Sequence, residues 1–412
     1  MLKVPFKGSR PNIYEPVGIA IFGDSQTAQN TAAANRFEGN GWLVQLNMVT
    51  GQRYIFNHSL NFGVSGNSSA QALARVSEVV NCSAQEVIVL LGANDRAGKL
   101  PAQTTIDNVT AIVAAITAVG KKVTIISHLP RRDASFVAAG FTASEIVTAK
   151  DNTEIVNAAL KQLASPVVRY ADAYSLWVDP VDRQAKVGLT LDDLHQNAAG
   201  ANLIMRTLYD IFTPIYGVRE FRLDPNNRFV NTNFAGSGGS LSGCTGSLAA
   251  NHLSLGSAPT GTAGRVFSKT SRGGQRMDFD FPAGGSATDN FRCIQRLTSS
   301  GETGKYAYYE VELDILNAGI GSGIWRTLSA ELQTSVGSLS IGNDRAGTSD
   351  PMGLDLMLEF MRAKGRTLLL RTPAMAIPAA TYVEGRFNIE ANTTGGPLAG
   401  SIELLNEQLV IY

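Results

Sequence analysis

Along the first half of the chain, short runs that are apolar at almost every position alternate with stretches in which apolar residues recur every three or four positions. Residues 17–22 (Val-Gly-Ile-Ala-Ile-Phe), 87–91 (Val-Ile-Val-Leu-Leu), 123–126 (Val-Thr-Ile-Ile) and 167–170 (Val-Val-Arg-Tyr) are of the first kind. Residues 42–48 form a further apolar run, in which Trp42 takes the core stripe of an amphipathic helix. Ile106, Val109, Ile112, Val113 and Ile116 share one helical face. Thr142 followed by Glu145 forms a capping box, opening a helix that turns Ile146, Val147 and Ile155 inward. A last helix is expected over 198–212. Buried strands separated by amphipathic helices predict a parallel sheet covered on both faces, an α/β fold.

Past Tyr216 the period becomes two. Met277, Phe279 and Phe281 alternate with Asp278 and Asp280, and Tyr309, Val311, Leu313 and Ile315 alternate with Glu310, Glu312 and Asp314. Such alternation marks half-buried antiparallel strands. Gly/Ser/Thr-rich stretches at 236–247 and 256–264 punctuate them, which favours a β-sandwich over a helical bundle. Glycine follows the same division, with 14 in residues 1–216 and 27 in 217–412. Two domains are expected, 1–216 and 217–412, with the boundary near 214–224. No repeat of fixed period is visible.

Composition narrows the function. Lys+Arg and Asp+Glu both number 35, giving zero net charge with no basic run to neutralise phosphates, which argues against nucleic acid as a partner. Runs such as 87–91 and 111–119 fall short of the roughly 20 apolar residues that span a bilayer. Pro5, Lys7, Arg10 and Pro11 interrupt the N-terminus before any apolar core. A soluble chain without a secretion signal is expected. Cys82, Cys244 and Cys293 have no metal-ligand spacing and read as reduced, mostly buried residues, with a Cys244–Cys293 bridge as the minor alternative. No metal or cofactor is expected.

The candidate chemistry lies where strands end. Gly23-Asp24-Ser25-Gln26-Thr27 closes the first apolar run, at the edge where open α/β sheets bind ligands. Asn61-Phe62-Gly63-Val64-Ser65-Gly66-Asn67, Gly92-Ala93-Asn94-Asp95 and Asp192-Asp193-Leu194-His195 are three further motifs. Each alone could serve a turn or a cap. Together, in order and position, they resemble the four sequence blocks of the SGNH, or GDSL-type, hydrolase family, over about residues 17–212. The resemblance implies a flavodoxin-like three-layer α/β/α domain with Ser25 as nucleophile, His195 as base and Asp192 as its orienter. It also implies an oxyanion hole formed by Ser25, Gly66 and Asn94.

Those residue types suit the task. A serine hydroxyl needs a base within hydrogen-bond reach, and histidine ordinarily titrates near pH 6.5. An aspartate three residues before the histidine can hold one ring nitrogen while the other faces the serine. Asp193 is the rival orienter, but its i+2 spacing turns it away from His195. Asp24 and Asp95 read as loop-fixing residues, and His58 and His128 as structural. Arg96 is open between a substrate contact and a solvated surface arginine. Gln196 departs from the proline that often follows the histidine in this family.

The second half resembles the jelly-roll, carbohydrate-binding-like sandwiches of bacteriophage tail proteins and glycan-active enzymes. It does so through Asn231-Thr232-Asn233-Phe234, the strand through Tyr308 and Tyr309, and Leu370-Arg371-Thr372-Pro373 followed by Ile377-Pro378. The implied function is a serine esterase that removes O-acetyl groups from a bacterial surface polysaccharide. The implied setting is a virion or phage-like particle, attached to it or assembled as a trimer. Trp325, Tyr306 and Tyr382 are candidate sugar-stacking residues. Two alternatives stay open: a general acyl-esterase or lipase, with Phe62 or Leu100 walling an acyl pocket, and a non-catalytic glycan-binding adhesin.

Overall fold

A computed structural model describes residues 17–33, 36–37, 40–55, 58–255, 264–284, 289–298, 301–320, 324–344, 354–372 and 374–412. Pro5, Lys7, Arg10, Pro11, Pro373 and the stretch 256–263 lie outside these residues.

The first half runs β1 (Val17–Gly23), α1 (Ser25–Ala28), a hairpin of β2 (Thr31–Ala33) and β3 (Arg36–Phe37), α2 (Trp42–Val49), β4 (Tyr54–Ile55) and β5 (Asn61–Gly63). It continues through α3 (Ser69–Ala74), α4 (Ser77–Val80), β6 (Glu86–Leu90), α5 (Ala93–Ala97), α6 (Ala102–Ala118), β7 (Lys122–Ile126), α7 (Asp133–Ala138) and α8 (Ala143–Lys161). β8 (Val168–Ala171), α9 (Tyr174–Trp177) and α10 (Ala198–Tyr216) complete it.

A parallel sheet has the order β4-β1-β6-β7-β8. β4 pairs with the start of β1 and β5 with its end. Every residue of β6 is buried, so both faces of the sheet are covered, as its unbroken apolar run requires. α3 and α8 pack on α6, and α2 packs on α10.

Two helices differ from expectation. All eight residues of α2 are buried, including Gln45 and Asn47, so it has no solvent face. Its polar side chains are satisfied internally: Gln45 Nε2 donates to Ala198 O and Asn47 Nδ2 to Tyr54 O. α8 carries the expected capping box and buries Ile146, but Val147 and Ile155 are 50% and 52% exposed. Its inward stripe is Ile146, Ala149, Thr153, Val156, Asn157 and Leu160. Small and polar residues hold the places that a purely apolar reading assigned to Val147 and Ile155.

The second half contains β9 (Thr245–Gly246), β10 (His252–Leu255), β11 (Arg265–Lys269), β12 (Gln275–Phe281), β13 (Asp289–Thr298), β14 (Tyr306–Ile320), β15 (Ile324–Thr334) and β16 (Gly337–Asp344). α11 (Leu354–Ala363), β17 (Leu368–Arg371), β18 (Met375–Ala376), β19 (Tyr382–Asn392) and β20 (Leu398–Ile411) follow. The strands form two sheets, β10-β13-β19-β15-β16 and β17-β14-β20-β12-β11-β9, with β18 on β14. All pairings are antiparallel except β9 with β11.

The apolar residues of the period-two pattern are buried as expected. Glu310 breaks the alternation: it is 1% exposed because Arg219 meets it there in an ion pair. The three cysteines are free, Cys244 and Cys293 buried and Cys82 partly so.

The halves share one hydrophobic core. α2 touches β17 and α11, β3 lies beside β16, and Tyr209 packs edge-on against Phe360 with centroids 4.9 Å apart. No helix among the described residues is long and apolar enough to cross a membrane.

Candidate active site

Ser25 stands where β1 gives way to α1. Asp24 caps that short helix, its Oδ1 accepting from Gln26 N at 3.0 Å, while its Oδ2 accepts from Ala93 N at 3.3 Å. One buried carboxylate thus ties the serine turn to the turn that carries Asn94. Asp95 serves a second junction, accepting from both the backbone N and the hydroxyl of Ser69. Both fix loops, as their types predicted.

Three side chains that are distant in sequence meet at Ser25. His195 Nε2 lies 2.8 Å from Ser25 Oγ, and His195 Nδ1 lies 2.7 Å from Asp192 Oδ2. The other oxygen, Asp192 Oδ1, accepts from the backbone N–H of His195 at 2.7 Å and of Leu194 at 3.2 Å. Partial burial opposes the charge on Asp192, but these backbone bonds and the imidazole outweigh it and hold the carboxyl below its usual range. Asp193, in a left-handed conformation, instead pairs with Arg132 Nε at 3.1 Å. It faces away from His195.

Two backbone donors in these turns are unengaged. The N–H groups of Ser25 and Gly66 find no acceptor among the described residues. Gly66 has φ +82°, in the left-handed region that favours glycine, and open space where a Cβ would stand. Asn94 Nδ2 donates one hydrogen to Asn67 O at 2.9 Å, leaving the second N–H of that amide to donate elsewhere. Arg75 braces the arrangement, donating to Asn67 Oδ1 at 2.7 Å and to Gly23 O at 2.9 Å, with its guanidinium over the Phe22 ring.

The sequence reading did not foresee the clasp between the serine and histidine loops. Gln26 Nε2 donates to Leu194 O at 3.2 Å, and Gln196 Nε2 donates back to Gln26 O at 2.7 Å. Trp42 Nε1 donates to the same carbonyl at 3.2 Å, so the core tryptophan also supports the serine turn. The one signal in the sequence was Gln196 standing in place of a proline. A proline there has no side-chain donor to reach Gln26.

Other candidates fall outside the chemistry. Arg96 is not a solvated surface arginine: it is 6% exposed and donates to Leu129 O, Thr153 Oγ1 and Gly92 O. His128 is buried, and burial pushes its pKa down to about 3, so the ring stays neutral. His58 is exposed, with Nδ1 3.0 Å from Thr31 Oγ1. No group of His, Cys, Asp and Glu among the described residues is arranged to hold a metal.

Leu100 lines a cavity of ≈220 Å³ with Phe141 and Lys99, and Phe62 is partly buried against the core. Tyr306 is half exposed and stacks on Tyr412, while Arg296 covers the Tyr382 ring. The Trp325 side chain lies outside the described residues.

Residues 21–203 match the GDSL-like Lipase/Acylhydrolase family. Among solved structures, a lipase/acylhydrolase from Enterococcus faecalis is 21% identical, the match covering 48% of this chain and 96% of that one with a TM-score of 0.36. A GDSL-like lipase from Bacteroides thetaiotaomicron is 19% identical over 47% and 86%, with a TM-score of 0.36. A carbohydrate esterase family 3 structure from Talaromyces cellulolyticus is 16% identical over 49% and 100%, with a TM-score of 0.36. No curated protein matches the chain significantly. Residues 21–203, which hold all four motifs, are thus similar to the GDSL-like Lipase/Acylhydrolase family.

Proposed function

We propose that the chain is a serine esterase that removes O-acetyl groups from a bacterial surface polysaccharide, with Ser25, His195 and Asp192 as its catalytic residues. The observation that carries this reading is the unbroken hydrogen-bonded line Asp192–His195–Ser25, with the N–H groups of Ser25 and Gly66 finding no acceptor among the described residues.

In that geometry Ser25 Oγ attacks the ester carbonyl as its proton passes to His195 Nε2. Asp192 holds the other ring nitrogen and stabilises the imidazolium that forms. Negative charge gathers on the carbonyl oxygen, met by the N–H groups of Ser25 and Gly66 and the second amide hydrogen of Asn94. One such donor is typically worth about 3 kcal/mol of barrier. As the C–O bond breaks, His195 returns the proton to the departing sugar oxygen, leaving acetyl on Ser25. Water, deprotonated by His195, then attacks the acyl-enzyme and releases acetate.

The polysaccharide substrate and a place on a phage-like particle are supported by the resemblance of the second half to glycan-associated sandwiches. The test is acetate release from an O-acetylated bacterial surface polysaccharide beside p-nitrophenyl acetate, with the native chain and Ser25→Ala. Release from both substrates, lost in the variant, is expected. Turnover of the small ester alone would leave an esterase of another specificity, and turnover that survives in Ser25→Ala would remove the mechanism.

A further inference from the structure

A second charged site lies at the opposite edge of the parallel sheet from Ser25. Segment 218–225, which follows α10, helps to enclose a cavity of ≈320 Å³ together with residues of β14, β17 and β20. Arg219 N donates to Thr50 O at the far end of α2 from Trp42, and Arg53, beside the start of β1, donates to Tyr216 O. The cavity therefore sits near the N-terminal end of β1, whereas Ser25 follows its C-terminal end.

Three arginines line this cavity, Arg219, Arg222 and Arg371; Arg222 has an interaction of its own, and the other two have unequal partners. Arg219, 7% exposed, gives both terminal nitrogens to Glu310, and its buried Nε has no partner. The Arg371 guanidinium lies 3.6 Å above the Tyr308 ring and forms no hydrogen bond or ion pair among the described residues. The carboxylates nearby are otherwise engaged. Glu310 is taken up by Arg219 and Gln408, Asp224 accepts from Asn226 N and Tyr308 OH, and Glu220 lies 3.6 Å from Arg366. One partly buried cation thus lacks a counter-charge in contact, and such a group gains from meeting an anion.

The walls select among anions. A phosphate or sulfate dianion would be repelled by Asp224 and Glu220, and either ion is small for the space. A ligand with one carboxylate and several hydroxyls can give its carboxylate to Arg371 and its hydroxyl hydrogens to those two acids. Leu223 and Pro225 offer an apolar surface to a sugar ring.

We propose that this cavity binds a uronic-acid-type sugar through its carboxylate on Arg371, so that an acidic glycan is held at the edge of the molecule opposite Ser25. The site is independent of the esterase chemistry and is tested by binding without turnover. The full chain is titrated calorimetrically with glucuronate, glucose, acetate and inorganic phosphate. Glucuronate is expected to bind best, and Arg371→Met is expected to weaken it about tenfold or more. Leu223→Trp crowds the mouth from a position that is 58% exposed. It is expected to weaken glucuronate binding while leaving thermal unfolding unchanged, which covers the case in which Arg371→Met fails to fold. Ser25→Ala should bind glucuronate as the native chain does. Equal binding of glucose, acetate or phosphate, full affinity in both cavity variants, or loss of binding in Ser25→Ala would each overturn the proposal.

Discussion

Asp24 carries its carboxyl fully buried beside Ser25, where desolvation outweighs its two backbone hydrogen bonds and pushes its pKa up to about 6. The unfolded chain releases that proton near pH 3.9. Between the two values the native state holds the proton more tightly, so this group favours folding at low pH and the contribution is lost as pH rises from about 4 to 6. Asp24→Asn, neutral throughout, is expected to remove that part of the slope, measured as Tm against pH over the same window. Ser25, Gly66, Asn94, Asp192 and His195 were legible as candidates because each belongs to a short local motif, the first three just past strand ends and the last two in the loop before α10. Gln26, Gln196 and Arg75 were not, because their contacts join loops 52 to 170 positions apart and leave no local pattern. Arg96 was misplaced for a related reason. Its partners Leu129 and Thr153 lie on other segments that fold over it.

Elements set these side chains in place through close approaches that tolerate little change. Gly92 caps α5 with φ +111°, and a Cβ there would stand 1.9 Å from the His128 ring. His128 cannot easily move aside, since its backbone N donates to Asn157 Oδ1 and its O accepts from Asn157 Nδ2. Gly92→Ala is therefore expected to cost about 2 kcal/mol or more, measured by denaturant unfolding, and to lower kcat by shifting Asn94 two residues away. Strand and helix types in the first half followed from apolar period because each strand is buried on both faces. The period misjudged Val147 and Ile155, since it cannot tell that Ala149, Thr153 and Asn157 fill the inward stripe of α8. It also missed the enclosure of α2, whose covering comes from β17 and α11, some 300 residues later in the chain.

Across the whole molecule, buried polar groups link elements that apolar packing alone would leave free to slide. His252 Nδ1 lies 2.9 Å from Ala250 O and Nε2 2.7 Å from Glu407 Oε1. Both partners are acceptors, so the ring carries two protons and pairs as a cation with Glu407. Gln295 and Tyr309 donate to the same carboxylate, joining β10 and β13 of one sheet to β14 and β20 of the other. Burial alone would lower the His252 pKa, but the charge and hydrogen bond of Glu407 overcome it and hold it above the usual value. The stabilisation is full below about pH 6.5, the value in the unfolded chain, and is lost as pH rises through the higher folded value. Tm should fall as pH rises above about 6.5 in the native chain and stay flatter in His252→Gln, as differential scanning calorimetry would show.

The shared core also has a consequence for biosynthesis. α2 leaves the ribosome early, but β17 and α11, which complete its burial, come from residues 354–371. β20, the central partner of both β14 and β12, comes later still. At roughly 5–20 residues per second, about 8 to 30 s separate the emergence of α10 from that of β17. For that interval the nascent first half displays the apolar side of α2 to solvent, a transient sticky surface that the finished protein no longer has.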